Sequence, residues 1–201
     1  MTFKFTIDPQ HVKKHNEYFK DIRRLKISGL IYGLLMIVLG VVAYLGFHGD
    51  IWGILIGLIL VILGVVGLIT GPMVASHVGK PQAFYDSHAL IPAMVAKLDR
   101  NSAILLGIAD LPQGGRALIA RHVNKVEDVR RIGARIPSVA AGNKKGTEIT
   151  IVPIAWGTTD KAVIDEAKHT LPEAQWNELR RYLDRVDEVL ATPRNLLPLK
   201  D

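Results

Sequence analysis

The chain has 201 residues, with 25 Lys/Arg against 19 Asp/Glu, a formal charge of +6 and no cysteine. Lack of cysteine excludes a disulfide framework, a thiol nucleophile, a thiolate-held metal and a lipid-modified cysteine anchor. The basic excess is mild, so the charge points to a surface to be attracted to and does not by itself name nucleic acid.

The first residues, TFKFTI over 2–7, alternate polar and apolar side chains and predict a short strand. Asp8 before Pro9 is an N-cap followed by a residue tolerated in the first turn. From there HVKKHNEYFKDIRRLK carries Val12, Tyr18, Phe19, Ile22 and Leu25 at helical spacing, predicting a helix that runs into the next segment. Residues 27–70 then read ISGLIYGLLMIVLGVVAYLGF, HGD and IWGILIGLILVILGVVGLIT. Each apolar stretch, at ~1.5 Å of rise per residue, is long enough to cross a hydrocarbon core of ~30 Å. The short His48-Gly49-Asp50 break makes them an antiparallel transmembrane hairpin, with Gly71-Pro72 expected to end its second helix.

Past the hairpin the texture changes to short apolar runs. Segments 89–98, 103–111, 117–126, 134–141 and 148–156 read as strands, with breaks at Asp99-Arg100-Asn101, Pro112-Gln113-Gly114-Gly115 and Gly142-Asn143-Lys144-Lys145-Gly146. Five strands in succession suggest an antiparallel meander or a partly open barrel. Thr159 or Asp160 caps a helix reaching Lys168, and Thr170-Leu171-Pro172-Glu173 has the spacing of a capping box. The helix after it places Trp176, Leu179, Leu183, Val186 and Leu190 on one face, with Arg180 and Asp184 paired on the other. The tail NLLPL is apolar enough to dock on the domain. The expected architecture is an α+β membrane protein: a two-helix transmembrane hairpin and an antiparallel β-barrel-like or meander domain closed by two C-terminal helices. Its divisions fall at 1–26 (strand and basic juxtamembrane helix), 27–72 (hairpin) and 73–201 (cytoplasmic domain).

Charge sets the expected orientation. Lys13, Lys14, Lys20, Arg23, Arg24 and Lys26 precede the first span, whereas the turn offers only His48 and Asp50. The positive-inside rule then puts both termini in the cytoplasm of a multi-pass plasma-membrane protein, and the same cations contact anionic lipid headgroups. Tyr44, Phe47 and Trp52 would form the aromatic belt at the outer interface. A cleavable signal peptide is not expected, because the basic lead is long and a second span follows at once.

The spans contain Gly29, Gly33, Gly40, Gly53, Gly57, Gly64 and Gly67; Gly29–Gly33 and Gly53–Gly57 are small-xxx-small pairs that bring helix backbones together, inside the hairpin or against another protein. Neither span contains an ionisable residue, which argues against ion coupling or a proton path. His11 and His15 lie four apart, but Val12 stands where a zinc protease needs glutamate, so no metal site is expected. Asp86-Ser87-His88 holds triad residue types without the spatial separation of a triad, and reads as a cap or turn. Lys144-Lys145 reads as a solvated turn, and Trp156-Gly157-Thr158-Thr159-Asp160 as a strand end feeding a helix cap that could line a groove. No catalytic set, nucleotide loop or cofactor motif emerges, and aromatics at 6% are poorly supplied for stacking on bases.

The segments HNEYFKDIRRLKISGL, YDSHALIPAMVA, PIAWGTTDKAV and LPEAQWNELRRYLDRVDEV leading to ATPRNLLPL together resemble a family of small membrane proteins of corynebacteria and relatives, known as a domain of unknown function. The resemblance implies a plasma membrane within an actinobacterial envelope, and it brings no functional residues. The expected role is a non-catalytic accessory or scaffolding subunit of a larger membrane complex, with another membrane protein or a second copy as partner. The actinobacterial respiratory supercomplex is one candidate assembly and the envelope-growth machinery another. The alternative is a membrane-tethered module whose domain recognises a ligand, peptide or nucleic acid.

Overall fold

The computed structural model describes residues 2–48, 50–100, 102–124, 131–142 and 146–199, apart from the side chains of Val74, Ala75 and His77. The chain divides into two compact units, Tyr18–Lys80 and a second assembled from Met1–Glu17 and Pro81–Asp201. The N-terminal segment thus belongs with the C-terminal domain as far as Glu17, where sequence reasoning set it apart up to residue 26.

The hairpin consists of α2 (Glu17–Gly46) and α3 (Ile51–Val78), preceded by α1 (Pro9–His15). Both long helices meet the length and apolarity needed to cross a membrane. Helix α3 does not end at Gly71-Pro72: it contains Pro72 and stops at Gly79, which adopts φ 72°. Proline removes one backbone donor, and the turns on either side keep theirs, so an apolar helix continues through it. The expected continuous helix from α1 into α2 is broken instead. Asn16 takes an extended backbone and is fully buried, its side chain donating to the Tyr85 hydroxyl at 2.9 Å.

Glycines set how closely the two long helices approach. A Cβ built on Gly33 would lie 2.7 Å from the Gly64 carbonyl oxygen, and one on Gly64 would lie 2.7 Å from that of Gly33. Gly40 and Gly57 oppose each other in the same way, at 2.8 and 2.9 Å. Gly29 meets the Gly71 backbone at 3.1 Å, while Gly53 faces the Phe47 side chain at 2.6 Å. These contacts lie inside the hairpin and leave Leu, Ile and Val side chains on its outside.

The other unit is built on a six-stranded antiparallel sheet ordered β5-β4-β1-β2-β3-β6. Its strands are β1 (Leu90–Leu98), β2 (Ala103–Asp110), β3 (Arg116–Val123), β4 (Arg135–Gly142), β5 (Ile149–Pro153) and β6 (Leu196–Pro198). The first three form a meander; β4 then returns to the far side of β1. The docked tail supplies the sixth strand, Leu197 pairing with Leu118. The sheet curls into a half-barrel, so that Arg121 of β3 reaches across to donate to the Ile151 carbonyl of β5 at 2.9 Å. Strand β1 is buried on both faces over most of its length, as its near-continuous apolar run LIPAMV requires.

Helices α4 (Pro81–Ser87), α5 (Lys161–Thr170), α6 (Glu173–Arg181) and α7 (Val186–Leu190) complete the unit. Trp176, Leu179, Val186 and Val189 are buried, whereas Leu183 and Leu190 are partly exposed because a 3-10 turn at Leu183–Arg185 rotates the face. The capping box does not form: the Thr170 hydroxyl donates to the Glu166 carbonyl, and Glu173 turns to Arg135. Arg180 and Asp184 make no ion pair, since the chain leaves α-helical geometry at Tyr182 between them. The expected strand over 2–7 is reduced to one bridge, Thr2 to Ala89, and the extended segment packs instead through Phe3 and Phe5. The expected turn residues Gly49, Asn101 and Asn143-Lys144-Lys145, and the strand end at Val126, lie outside the described residues.

Candidate functional site: a cation-lined pocket

A pocket of about 510 Å³ opens where the start of β4 meets α5, α6 and the turn after β5. Its cationic wall is Arg131, Arg135, Lys161, Lys168 and Arg180. Ala134, Ile136, Pro137, Ala155 and Ile164 supply an aliphatic floor, with no aromatic ring among the described lining residues. Among the described residues, no carboxylate lines it.

Local structure explains how these side chains converge. The turn ahead of β4 is pinned to β1: Gly133 donates to the Val95 carbonyl at 2.8 Å, and Val95 donates to Ala134 at 3.1 Å. Gly133 has φ 80°, a conformation glycine adopts without Cβ strain, and it places Arg131 at the rim. On the opposite wall Asp160 caps α5 by accepting from the Ala162 N–H at 2.9 Å, and Thr158 in turn accepts from Asp160 at 3.1 Å. The helix that starts there puts Lys161, Ile164 and Lys168 on one face at i, i+3 and i+7.

Trp176 is the hub beneath. Fully buried, it donates from its indole N–H to the Lys168 carbonyl at 3.3 Å and carries the Arg135 guanidinium 5.4 Å above its ring. Arg135 also binds Glu173 through two parallel hydrogen bonds, the second at 2.7 Å. That fork holds the Glu173 carboxyl below its usual range and pushes the Arg135 guanidinium further up. Lys168 pairs with Asp165 at 2.9 Å, which lowers the Asp165 pKa chiefly through that hydrogen bond. Among the described residues, Arg131, Lys161 and Arg180 have no ion-pair partner. Among the described residues the wall therefore keeps an excess of three positive charges, arranged over an aliphatic floor, a chemistry suited to anions.

The back of this region is closed by the N-terminal segment. Asp8 donates its backbone N–H to the Gly157 carbonyl at 2.8 Å, and His11 donates from Nε2 to the Ala155 carbonyl at 2.9 Å. Tyr85, fully buried, receives the Asn16 amide and donates to the Pro153 carbonyl at 3.1 Å. Burial pushes the Tyr85 phenol far above its usual pKa.

The residues singled out from sequence are dispersed. Lys13 and Lys14 are exposed on α1, while Lys20, Arg23, Arg24 and Lys26 follow on α2, where Arg24 lies 3.8 Å from Asp21. The His11 and His15 rings lie 4.4 Å apart, but among the described residues no group of three His, Cys, Asp or Glu gathers to hold a metal. Ser87 and His88 Nδ1 both donate to the Phe84 carbonyl, at 3.1 and 2.7 Å, so His88 Nδ1 carries its proton and is no base for Ser87. Of the stretch 156–160, Trp156, Gly157 and Thr158 are buried and Thr159 reaches the pocket. None of the five pocket cations was singled out as a site residue. The only local signal was the Lys161–Ile164–Lys168 face; Arg131, Arg135 and Arg180 join it through tertiary packing alone.

Comparison with known proteins places the whole pocket inside a recognised region. A family model described as a protein of unknown function (DUF3239) matches residues 76–187. A crystal structure from Corynebacterium diphtheriae, described as that of a candidate membrane protein, is 32% identical over 55% of this chain and 100% of its own, with a TM-score of 0.50. No protein of curated function matches. The matched residues span β1 to β5, α5, α6 and all five pocket cations, and by that match the chain belongs to the DUF3239 family.

Proposed function

We propose that this protein is a non-catalytic binding module, anchored in the bacterial plasma membrane by its hairpin, whose sheet domain receives an anionic ligand in the cation-lined pocket. The observation that carries this reading is the convergence of Arg131, Arg135, Lys161, Lys168 and Arg180 on one aliphatic-floored cavity with no carboxylate among the described residues of its lining. Clustered like charges repel, so an excess of this kind favours the binding of a counter-charge. The two apolar helices support a multi-pass anchor, and the basic residues ahead of α2 support cytoplasmic termini by the positive-inside rule.

The accessory-subunit expectation drew on glycine faces open to another membrane protein. Those glycines pack against the opposite helix of the same hairpin, so they do not supply such a face. A ligand-binding role rests on the other unit and needs no contact from the spans.

The test is thermal unfolding of the full-length protein in neutral detergent, with sulfate, pyrophosphate, polyglutamate and an oligonucleotide compared at constant ionic strength. A ligand at 100 times its Kd stabilises by about 2.7 kcal/mol. We expect at least one anion to raise the unfolding temperature in wild type and not in the Arg131→Ala/Arg180→Ala variant. Equal response of the two proteins to every anion would refute a ligand site in this pocket.

A further inference from the structure

We infer that the pocket's ligand bears two neighbouring phosphate groups on an aliphatic or saccharide-like body; the inference rests on the anion-binding reading above. Three features of the wall select that chemistry. Three of its five cations are guanidinium groups, whose planar forks match phosphate oxygens two at a time, and the two lysines add point charges along α5. Among the described residues, the excess left after Glu173 and Asp165 neutralise Arg135 and Lys168 is three positive charges. A phosphomonoester carries about −1.5 to −2 at neutral pH, so one leaves the wall under-neutralised and two match it. The floor of Ala134, Ile136, Pro137, Ala155 and Ile164 offers no aromatic face, and Trp176 below is already covered by Arg135. A nucleobase would have nothing to stack on, whereas an aliphatic body would be well received.

Glu173 has a defined part in this arrangement. Its carboxylate, largely exposed, occupies the Arg135 fork and competes there with an incoming phosphate. Glu173→Gln removes that competitor and raises the local charge by one, so binding tightens.

The experiment is calorimetric titration of the full-length protein in phosphatidylcholine nanodiscs at fixed ionic strength, with pyrophosphate, orthophosphate and the tricarboxylate tricarballylate as probes. Pyrophosphate should bind at least tenfold more tightly than either of the others. Arg131→Ala/Arg180→Ala, two exposed positions, should weaken it at least tenfold, and Glu173→Gln should tighten it about threefold. A second arm repeats the titration in nanodiscs containing cardiolipin, whose headgroup carries two phosphates. A rise in the apparent Kd for pyrophosphate there identifies a lipid-borne ligand, and an unchanged Kd identifies a soluble one; either supports the diphosphate assignment. If tricarballylate or orthophosphate binds as tightly as pyrophosphate, the diphosphate assignment fails and the anion-binding module stands. If none of the three probes binds the wild type, the diphosphate assignment fails too, and the wider reading is judged by the polyanion panel.

Discussion

Replacing Tyr85 by phenylalanine isolates one hydroxyl at the seam between the N-terminal segment and the sheet. The ring stays: it packs edge-on to Phe5 at 5.2 Å and to Phe84 at 5.5 Å, and phenylalanine fills the same space. The variant loses the bond accepted from Asn16 at 2.9 Å and the bond donated to the Pro153 carbonyl at 3.1 Å, both away from water. Removing one partner from a buried hydrogen bond costs ~1–3 kcal/mol, so we expect about 2 kcal/mol of destabilisation near neutral pH. For a domain of this size that is a fall of roughly 5–10 °C in unfolding temperature. The alkaline limb gives a second, independent readout. Burial raises the folded-state pKa of Tyr85, so the unfolded chain releases this proton first, above about pH 10. Stability from this group is therefore complete below that pH and declines by about 1.4 kcal/mol for each unit above it. Tyr85→Phe lacks that component, and its deficit relative to wild type should shrink by the same amount per unit. Thermal unfolding in detergent, followed by tryptophan fluorescence at pH 7, 10 and 11, measures both effects, since Trp156 and Trp176 are buried in this unit. An unfolding temperature unchanged at neutral pH, or two curves that fall in parallel above pH 10, would refute the reasoning.

Further predictions concern the hairpin, the hub of the pocket and its acid limit. Alanine at both Gly33 and Gly64 would put each new Cβ within 2.7 Å of the opposing carbonyl oxygen, forcing α2 and α3 apart. Faster amide hydrogen exchange around those two positions in detergent should report it, while the sheet domain keeps its protection. Trp176→Ala should cost ~3–5 kcal/mol as a fully buried aromatic, measured as a lower unfolding temperature, and should loosen Arg135 from its platform. The carboxyls of Glu173 and Asp165 are held below their usual range, by Arg135 and Lys168 respectively. Their contribution to stability is present above about pH 4.3 and is lost as pH falls through the depressed values. Acid titration of the unfolding temperature should show that loss in wild type and a smaller one in Glu173→Gln.

The apolar runs, the turn residues and the charge asymmetry belong to the local sequence, and they were sufficient for the two long helices, five of the six strands and Asp160 as a helix cap. Such features are set by neighbours a few residues away: a charge-free apolar run, a glycine in a turn, a side-chain oxygen one residue ahead of a helix. Local signals failed where a distant partner outweighed them. Asn16 breaks a good helical pattern because its amide meets Tyr85, and Glu173 abandons the capping box because Arg135 offers a two-pronged ion pair. Thr2 to Ile7 alternates like a strand, yet its aromatic side chains and the Gln82 amide bonds to Phe5 and Ile7 decide its course.

The apolar hairpin and the α+β class are legible along the chain, since hydrophobic length and periodicity are one-dimensional quantities. That the spans' glycines face one another, and that cations at 131, 135, 161, 168 and 180 share one cavity, follows from packing between residues far apart in the chain. A β4 start pinned to β1 and two helices tied through Trp176 bring those charges together across the fold, and no spacing along the chain encodes that meeting.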